Sequence, residues 1–441
     1  MDARKTAEEI FLAGVRSVMP SYLIPSRVAV RDNTLIAGNH RFPLDMVNDI
    51  FIVGAGKASA LMAAGIENIL GNRIKAGHII TKYGHACKLK YAEITEAGHP
   101  VPDENSFKGT NSLTELVSRA GSGDLVICLI SGGGSALLAD HPEGCTPEDI
   151  KKVNDLLVNS GACISEINSV RKHLSNVKGG QLARLVYPAT LVSLILSDVP
   201  GDPLDVIASG PTAPDSTTFE QALSVLTKYN LLTEVPQSIL DYLQSGCEGL
   251  IPETPDEEDT IFKKVTNILI GTNSLALEAC RQKAFEYNLN AVIVDNELQG
   301  DTSSVAEYMV EIASGFLADQ NEVKPVCLLF GGETTVKMTG SGMGGRNQHL
   351  ALQVAMLLQN KQGITFLSSG TDGNDGNTEV AGAVSDWLTL VTAERKNIDP
   401  AAFLENFDSY HFFKKAGGHI ITGPTMTNVM DLMVLIIENE A

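Results

Sequence analysis

The chain has 441 residues, 44% hydrophobic and 5% aromatic, with a formal net charge of −20. That length allows two or three domains with ordinary hydrophobic cores. The acidity argues against nonspecific binding to nucleic acid or to an anionic membrane surface, so a phosphate site must be a local basic focus inside an acidic envelope.

The first segment, "MDARKTAEEIFLAGVRSVMP", has apolar residues at helical spacing and carries acids. It reads as a helix rather than a signal or transit peptide. No uninterrupted apolar run reaches about 18 residues, so no membrane span is expected. The next segment, "VAVRDNTLIAG" (28–38), reads as a hairpin turning at Asp32-Asn33. Apolar runs then alternate with helix-period runs. "DIFIVGAG" (49–56), "AGHIITK" (76–82), "DLVICLIS" (124–131) and "ATLVSLILSD" (189–198) are the strands. Strands this uniformly apolar predict a parallel sheet covered on both faces by helices. Two prolines and an acid run interrupt the pattern at 245–264, which reads as a linker. The expected domains are 1–250 and 251–441. Beyond the linker come "NAVIVDN", "KPVCLLFGGETTVKMTG", the helical "NQHLALQVAMLLQN" and "ITFLSSGTDGNDG". The fold class expected is α/β in two lobes, with the active site in the cleft between them at the strand C-terminal ends. The seven cysteines are scattered without CxxC spacing, which suits a reducing compartment, with cytoplasm as the expectation.

Four glycine-rich or basic segments carry chemistry. "GAGKAS" (54–59) follows a strand and opens a helix. Phe51 stands where a Walker A loop needs glycine, and Ser59 stands where a dinucleotide fingerprint needs one. What survives is Lys57 in the first turn of a helix whose N–H groups face the cleft, with Gly54 and Gly56 beside it. An ammonium there pairs with phosphate or carboxylate. "SGGGSALL" (131–138) lacks GxSxG, so Ser135 is weakly supported as a nucleophile. Ser131, Gly132, Gly133, Gly134 and Ser135 read better as a nest of N–H groups for an anion. "NSVRKHLSNVKGGQLA" (168–183) concentrates Arg171, Lys172, His173 and Lys178, with Arg171 and Lys178 spaced i, i+7 on one helix. A solvated basic face is the competing explanation for each member. "GGETTVKMTGSGMGGRNQHLAL" (331–352) supplies Glu333 after a strand and Arg346 at a helix start, suited to a bidentate grip on a carboxylate or phosphate.

Acids at strand ends complete the set. Asp198 follows an apolar strand and can ligate Mg²⁺ or take a proton from a hydroxyl. Asp202 and Asp205 read as turn and cap residues. Asp372 and Asp375 follow another strand, where Gly376 breaks the EF-hand pattern. A Mg²⁺ held mainly by water and phosphate needs only one or two such acids. The nine histidines show no HExxH spacing, so a catalytic zinc is not expected. These parts together suit phosphoryl transfer.

The segments "GAGKAS", "SGGGSALL", "VRKHLSNVKGGQLA", "SDVPGDPLDVIASGPT", "GGETTV", "GGRNQHLAL" and "GTDGNDGNTEVAGA", in this order, resemble the class II glycerate kinases of the MOFRL family. The resemblance runs from about residue 50 to 425. It implies transfer of the ATP γ-phosphoryl group to the 2-hydroxyl of D-glycerate, giving 2-phosphoglycerate, with Mg²⁺ as cofactor. It also implies a larger Rossmann-like three-layer N-terminal domain and a smaller α/β C-terminal domain. A monomer or homodimer is expected. The family's activity-linked lysine and arginine fall on Lys57 and Arg346. Asp198 joins them as a catalytic residue on chemical grounds, with Asp198 and Asp372 as metal ligands. Gly54, Gly56, residues 131–135, Arg171, Lys178 and Glu333 are expected to bind substrate or nucleotide. Whether the glycine nest holds nucleotide phosphates or the glycerate carboxylate stays open at this level, as does which acid orients the C2 hydroxyl. A hydroxypyruvate reductase and a non-catalytic sensor of phosphorylated sugar acids are the alternatives.

Overall fold

A computed structural model describes residues 2–318, 325–337, 339–359 and 361–438. Met338 of the glycine-rich loop and Asn360 at the end of the helical "NQHLALQVAMLLQN" therefore lie outside the described residues. The chain forms two compact units, a larger one of Leu23–Ser197 with Asp202–Ile270, and a smaller one of Met1–Tyr22, Asp198–Gly201 and Gly271–Ala441.

The larger unit opens with three short antiparallel strands, β1 (Val28–Arg31), β2 (Thr34–Ala37) and β3 (His40–Pro43). Asp32 and Asn33 both have positive φ, as the tight two-residue hairpin read from the sequence requires. Six strands then make the main sheet: β4 (Ile50–Ala55), β5 (Ile74–Lys82), β6 (Ala92–Ala97), β7 (Leu125–Ile130), β8 (Thr190–Leu196) and β9 (Val265–Gly271). Their spatial order is β6-β5-β4-β7-β8-β9, and the pairs β6/β5, β5/β4, β4/β7 and β7/β8 are parallel. Counted from β4, this is the 3-2-1-4-5-6 order of a doubly wound sheet, whose ligand crevice opens where the first and fourth strands diverge. Every residue of β4 and β7 is buried, which explains their unbroken apolar runs. Helices Pro147–Asn159, Ile164–His173, Phe219–Lys228 and Gln237–Cys247 share a separate core that includes Val153, Leu157, Val170, Leu226 and Leu243.

The smaller unit holds β10 (Asn290–Asp301), β11 (Val326–Thr335), β12 (Ile364–Gly370), β13 (Gly382–Asp386), β14 (His419–Ile420) and β15 (Asp431–Ile437). Their order is β10-β11-β15-β12-β13-β14. Only β10/β11 pair in parallel; β15 runs antiparallel to both β11 and β12, so the sheet is mixed. All seven residues of β15 are buried. The N-terminal helix Ala3–Ser17 packs on helix Asn273–Glu286 and on this sheet, with Arg4 Nε donating to Asp386 Oδ2 at 2.7 Å.

The boundary expected at 250/251 moves to Ile270/Gly271, and residues 1–22 go with the C-terminal unit. The acid- and proline-rich stretch is not a free linker. Thr254 Oγ1 donates to Asp215 at 3.1 Å, and the Pro255 carbonyl accepts from Asp215 N at 2.9 Å. Strand β9 then extends the first sheet beside β8. No described helix is long and apolar enough to cross a membrane.

Candidate active site

In the larger unit, the loops after β4 and β7 lie side by side at the switch point and are stitched together. Lys57 N donates to Gly132 O at 2.9 Å, and Ala58 N donates to Ser131 Oγ at 3.0 Å. Ser59 Oγ lies 3.2 Å from Ser131 Oγ. Gly56 N donates to Ile80 O at 3.1 Å and Ser59 N to Gly56 O at 3.3 Å. The N–H groups of "GAGKAS" are thus engaged within the fold and form no anion nest, contrary to the expectation for this segment. The helix begins at Ser59, so Lys57 precedes it rather than occupying its first turn. Gly54 and Gly56 have structural reasons to be glycine. A Cβ on Gly54 would collide with the Leu129 carbonyl of β7, and one on Gly56 with Ser131.

The second glycine segment behaves differently. Among the described residues, the N–H groups of Gly132 and Gly133 have no hydrogen-bond partner. Gly133 adopts φ +84°, a left-handed conformation that favours glycine, and an added Cβ would sit 2.8 Å from the His99 ring. Gly134 N donates to Ser131 O at 3.2 Å. Ser135 Oγ lies 2.9 Å from Ser209 Oγ, a partner that does not activate a nucleophile.

A cavity of about 830 Å³ opens beside this loop, and Gly133, Ser135, Arg171 and Lys178 all line it. Arg171 and Lys178 do not share a helix, because the helix ends at His173 and the chain turns before Lys178. They are nonetheless near enough that Arg171 lowers the Lys178 pKa, after burial, which is the larger cause. Lys178 Nζ bonds to the Leu138 carbonyl and lies 3.8 Å from Asp140. Arg171 Nε donates to Asn154 Oδ1 at 2.7 Å, and burial lowers its pKa. The other two bases of that cluster are structural. Lys172 is buried between Asp205 and Asp215, each at 3.2 Å, and His173 Nε2 lies 3.0 Å from Glu253. His99 also lines the cavity. Burial, with help from Lys57, Lys82 and His85, pushes its pKa down to about 4, so the ring is neutral at pH 7.

In the smaller unit the loop "GTDGNDG" caps the helix Arg346–Leu357. Asp375 Oδ1 accepts from Asn347 N at 3.0 Å and Oδ2 from Gln348 N at 2.9 Å. Burial raises the Asp375 pKa to about 6 despite these bonds. Arg346 closes its fork on Asp431, with Nε–Oδ2 at 2.6 Å and Nη2–Oδ1 at 2.9 Å. Its Nη1 lies 2.9 Å from Glu333 Oε1 on β11. The bidentate grip expected for a substrate anion is therefore made with an acid of the protein. Burial opposes the Arg346 charge, but Asp431 and Glu333 outweigh it and raise its pKa. Burial likewise raises the pKa of Glu333; Arg346 opposes this, while Asp431, Asp198 and Asp372 add to it. Asp198 and Asp372 are thus near enough to Glu333 to act on its charge. Asp198 Oδ2 accepts from Asn428 Nδ2 at 3.4 Å.

Among the described residues no three His, Cys, Asp or Glu side chains form a metal-holding group. The oxygen donors of Asp198 and Asp372 do fit a hard cation that keeps water and phosphate ligands. Asp202 adopts φ +54°, in keeping with the turn read for it, whereas Asp205 caps no helix and is paired to the buried Lys172 instead.

Sequence reasoning missed Asp431, whose signal was an acid heading the otherwise apolar "DLMVLII". It also missed His99, which stands before Pro100 with no neighbouring metal or nucleophile pattern.

The described folds agree with known proteins. Residues 6–244 match a family model described as a domain of unknown function, DUF4147, and residues 326–431 match the MOFRL family. The chain is 43% identical to a D-glycerate 2-kinase of Thermotoga maritima, over 88% of this chain and 90% of that protein. It is 39% identical to a putative hydroxypyruvate reductase of Agrobacterium vitis, over 99% of this chain and 95% of that protein. The crystal structure of a glycerate kinase from Thermotoga maritima superposes with a TM-score of 0.87 at 40% identity, covering 99% of each chain. Sequence and overall fold thus agree along nearly the whole length, and the chain belongs to the class II glycerate kinase (MOFRL) family.

Proposed function

We propose that the protein is a glycerate 2-kinase, transferring the γ-phosphoryl group of ATP to the 2-hydroxyl of D-glycerate. The observation that carries this reading is the chain-long similarity to a D-glycerate 2-kinase, which embraces both groups of candidate residues. In the reaction, the C2 hydroxyl oxygen forms a bond to the γ-phosphorus as the bond to the β,γ-bridging oxygen breaks, leaving ADP. Catalysis of this step rests on positioning and on holding negative charge. Lys57 supplies a cation to the phosphoryl oxygens. Arg346, braced by the buried Asp431, keeps Glu333 in place and adds positive charge. Asp198 or Asp372 orients the C2 hydroxyl and accepts its proton. Mg²⁺, when bound with the nucleotide, would neutralise phosphate charge, and the other acid of this pair would help to hold it. The seven free cysteines support a cytoplasmic setting.

A ³¹P NMR time course with ATP, Mg²⁺ and D-glycerate tests the reading. Growth of a 2-phosphoglycerate resonance with ADP is the expected outcome. A 3-phosphoglycerate signal would keep the kinase and overturn the position attacked; an unchanged spectrum with folded protein would sink the kinase. The reductase reading, whose name the Agrobacterium vitis relative carries, lacks support in "GAGKAS", which has neither the dinucleotide fingerprint nor free N–H groups for a pyrophosphate. NADH oxidation with hydroxypyruvate would revive it. Ligand-induced thermal stabilisation without any turnover would point instead to a sensor.

A further inference from the structure

The cavity beside the second glycine loop is larger than a three-carbon acid needs. Its volume of about 830 Å³ falls in the range of about 300–1,000 Å³ found for sites that enclose drug-sized ligands. Its walls come from helices Pro147–Asn159 and Ile164–His173, from Phe107 on helix Glu104–Val117, and from the segment 133–140 with its short helix Gly134–Leu137. Phe107, Ile150, Val153, Val170 and Leu174 make much of that wall apolar. Glycerate carries a hydroxyl or carboxylate on every carbon and has no surface to offer it.

Cationic and donor groups gather at the loop. Arg171 has a single hydrogen-bond partner, the neutral Asn154, and no carboxylate within ion-pair distance among the described residues. A half-buried guanidinium without a counter-charge favours an anion able to accept two parallel hydrogen bonds. Lys178 lies nearby, with Asp140 offsetting its charge, and Gly132 and Gly133 hold unpaired N–H groups. An anionic end and a flat apolar body in one ligand describe a purine nucleotide rather than a small hydroxy acid. We propose that this cavity is the nucleotide site, with phosphates at Arg171 and the 132–133 N–H groups and the base against the apolar walls. The assignment rests on the phosphotransferase reading for its choice of nucleoside triphosphate. It leaves glycerate to be held elsewhere.

Calorimetric titration of the full chain with adenylyl imidodiphosphate, and separately with D-glycerate, tests this. Arg171→Met should weaken nucleotide binding by about tenfold or more. Ala136→Trp, which intrudes on the cavity from its lining, should weaken it similarly. Both should leave glycerate affinity within about twofold and the melting temperature near that of the parent. Photolabelling with 8-azido-ATP gives a readout independent of substitution and should mark peptides from 99–107 or 147–159. Folded variants that bind nucleotide like the parent would overturn the proposal. So would loss of glycerate binding with nucleotide binding intact, or label confined to other segments. The two readings fail separately. Nucleotide binding at the cavity without transfer to glycerate would remove the kinase and keep the site. Transfer by a protein whose cavity variants bind ATP normally would remove the site and keep the kinase.

Discussion

Lys57 and Arg346 carry positive charge in different settings, and their substitutions should separate. The backbone of Lys57 is what ties the two switch-point loops, through its N–H to Gly132 O at 2.9 Å, and Lys57→Ala retains that bond. The substitution should cut kcat by about 100-fold or more while the melting temperature stays put. Equal activity would remove Lys57 from the mechanism. Arg346 differs because its fork neutralises Asp431, whose side chain is fully buried. Arg346→Lys cannot reproduce two parallel hydrogen bonds, so it should cost about 2–3 kcal/mol in urea unfolding as well as activity. His99 supplies a pH test. Its imidazole is neutral in the folded protein, with a pKa near 4 against an ordinary value of 6.5. Between those values the unfolded chain binds more protons, so this group's contribution to stability is present above pH 6.5 and lost as pH falls toward 4. Melting temperatures from pH 7 to 4.5 should fall more steeply for the parent than for His99→Gln. Parallel curves would show that the ring takes up its proton as readily in the folded protein as in the unfolded chain.

At the scale of elements, the contact of β4 with β7 decides where the candidate loops lie. Gly54 lets the two strands close, because a methyl group there would strike the Leu129 carbonyl. Gly54→Ala should destabilise the larger unit by about 2 kcal/mol or more and lower activity by displacing both loops. A variant with parental urea midpoint would mean that the strands part without cost. Individual strands and helices were legible in the sequence because burial on both faces writes continuous apolar runs, as in "LVICLI" and "FIVGA". Cross-loop bonds were not legible. Nothing in "GAGKAS" by itself says that its N–H groups meet the Ile80 and Gly132 carbonyls and Ser131 Oγ, leaving none for an anion.

At the scale of the molecule, both ends of the chain belong to the smaller unit. The N-terminal helix packs on its sheet, and β15 fills the gap between β11 and β12. A chain ending at Met430 would lose the strand that joins β11 to β12, and with it Asp431. It should show loss of the near-ultraviolet signal and rapid proteolysis within residues 271–430, with no kinase activity. A protease-resistant truncated protein would show that the two halves of that sheet hold without β15.

By itself the sequence determined the α/β class, four apolar strands of the first sheet, the hairpin at Asp32-Asn33, and a short list of candidate glycines, acids and bases. These follow from local rules: side-chain periodicity, turn conformations and the rarity of glycine clusters. Tertiary structure alone decided which of those groups are engaged with the protein and which face a cavity. Lys172 and Arg171 are adjacent in sequence, yet one is buried between two aspartates and the other lines a cavity with a neutral partner. The mixed order of the second sheet, the placement of residues 1–22 and the pairing of Arg346 with Asp431 were likewise beyond local reading. Each joins segments tens to hundreds of residues apart, and only the packed fold brings their charges and hydrogen bonds within reach.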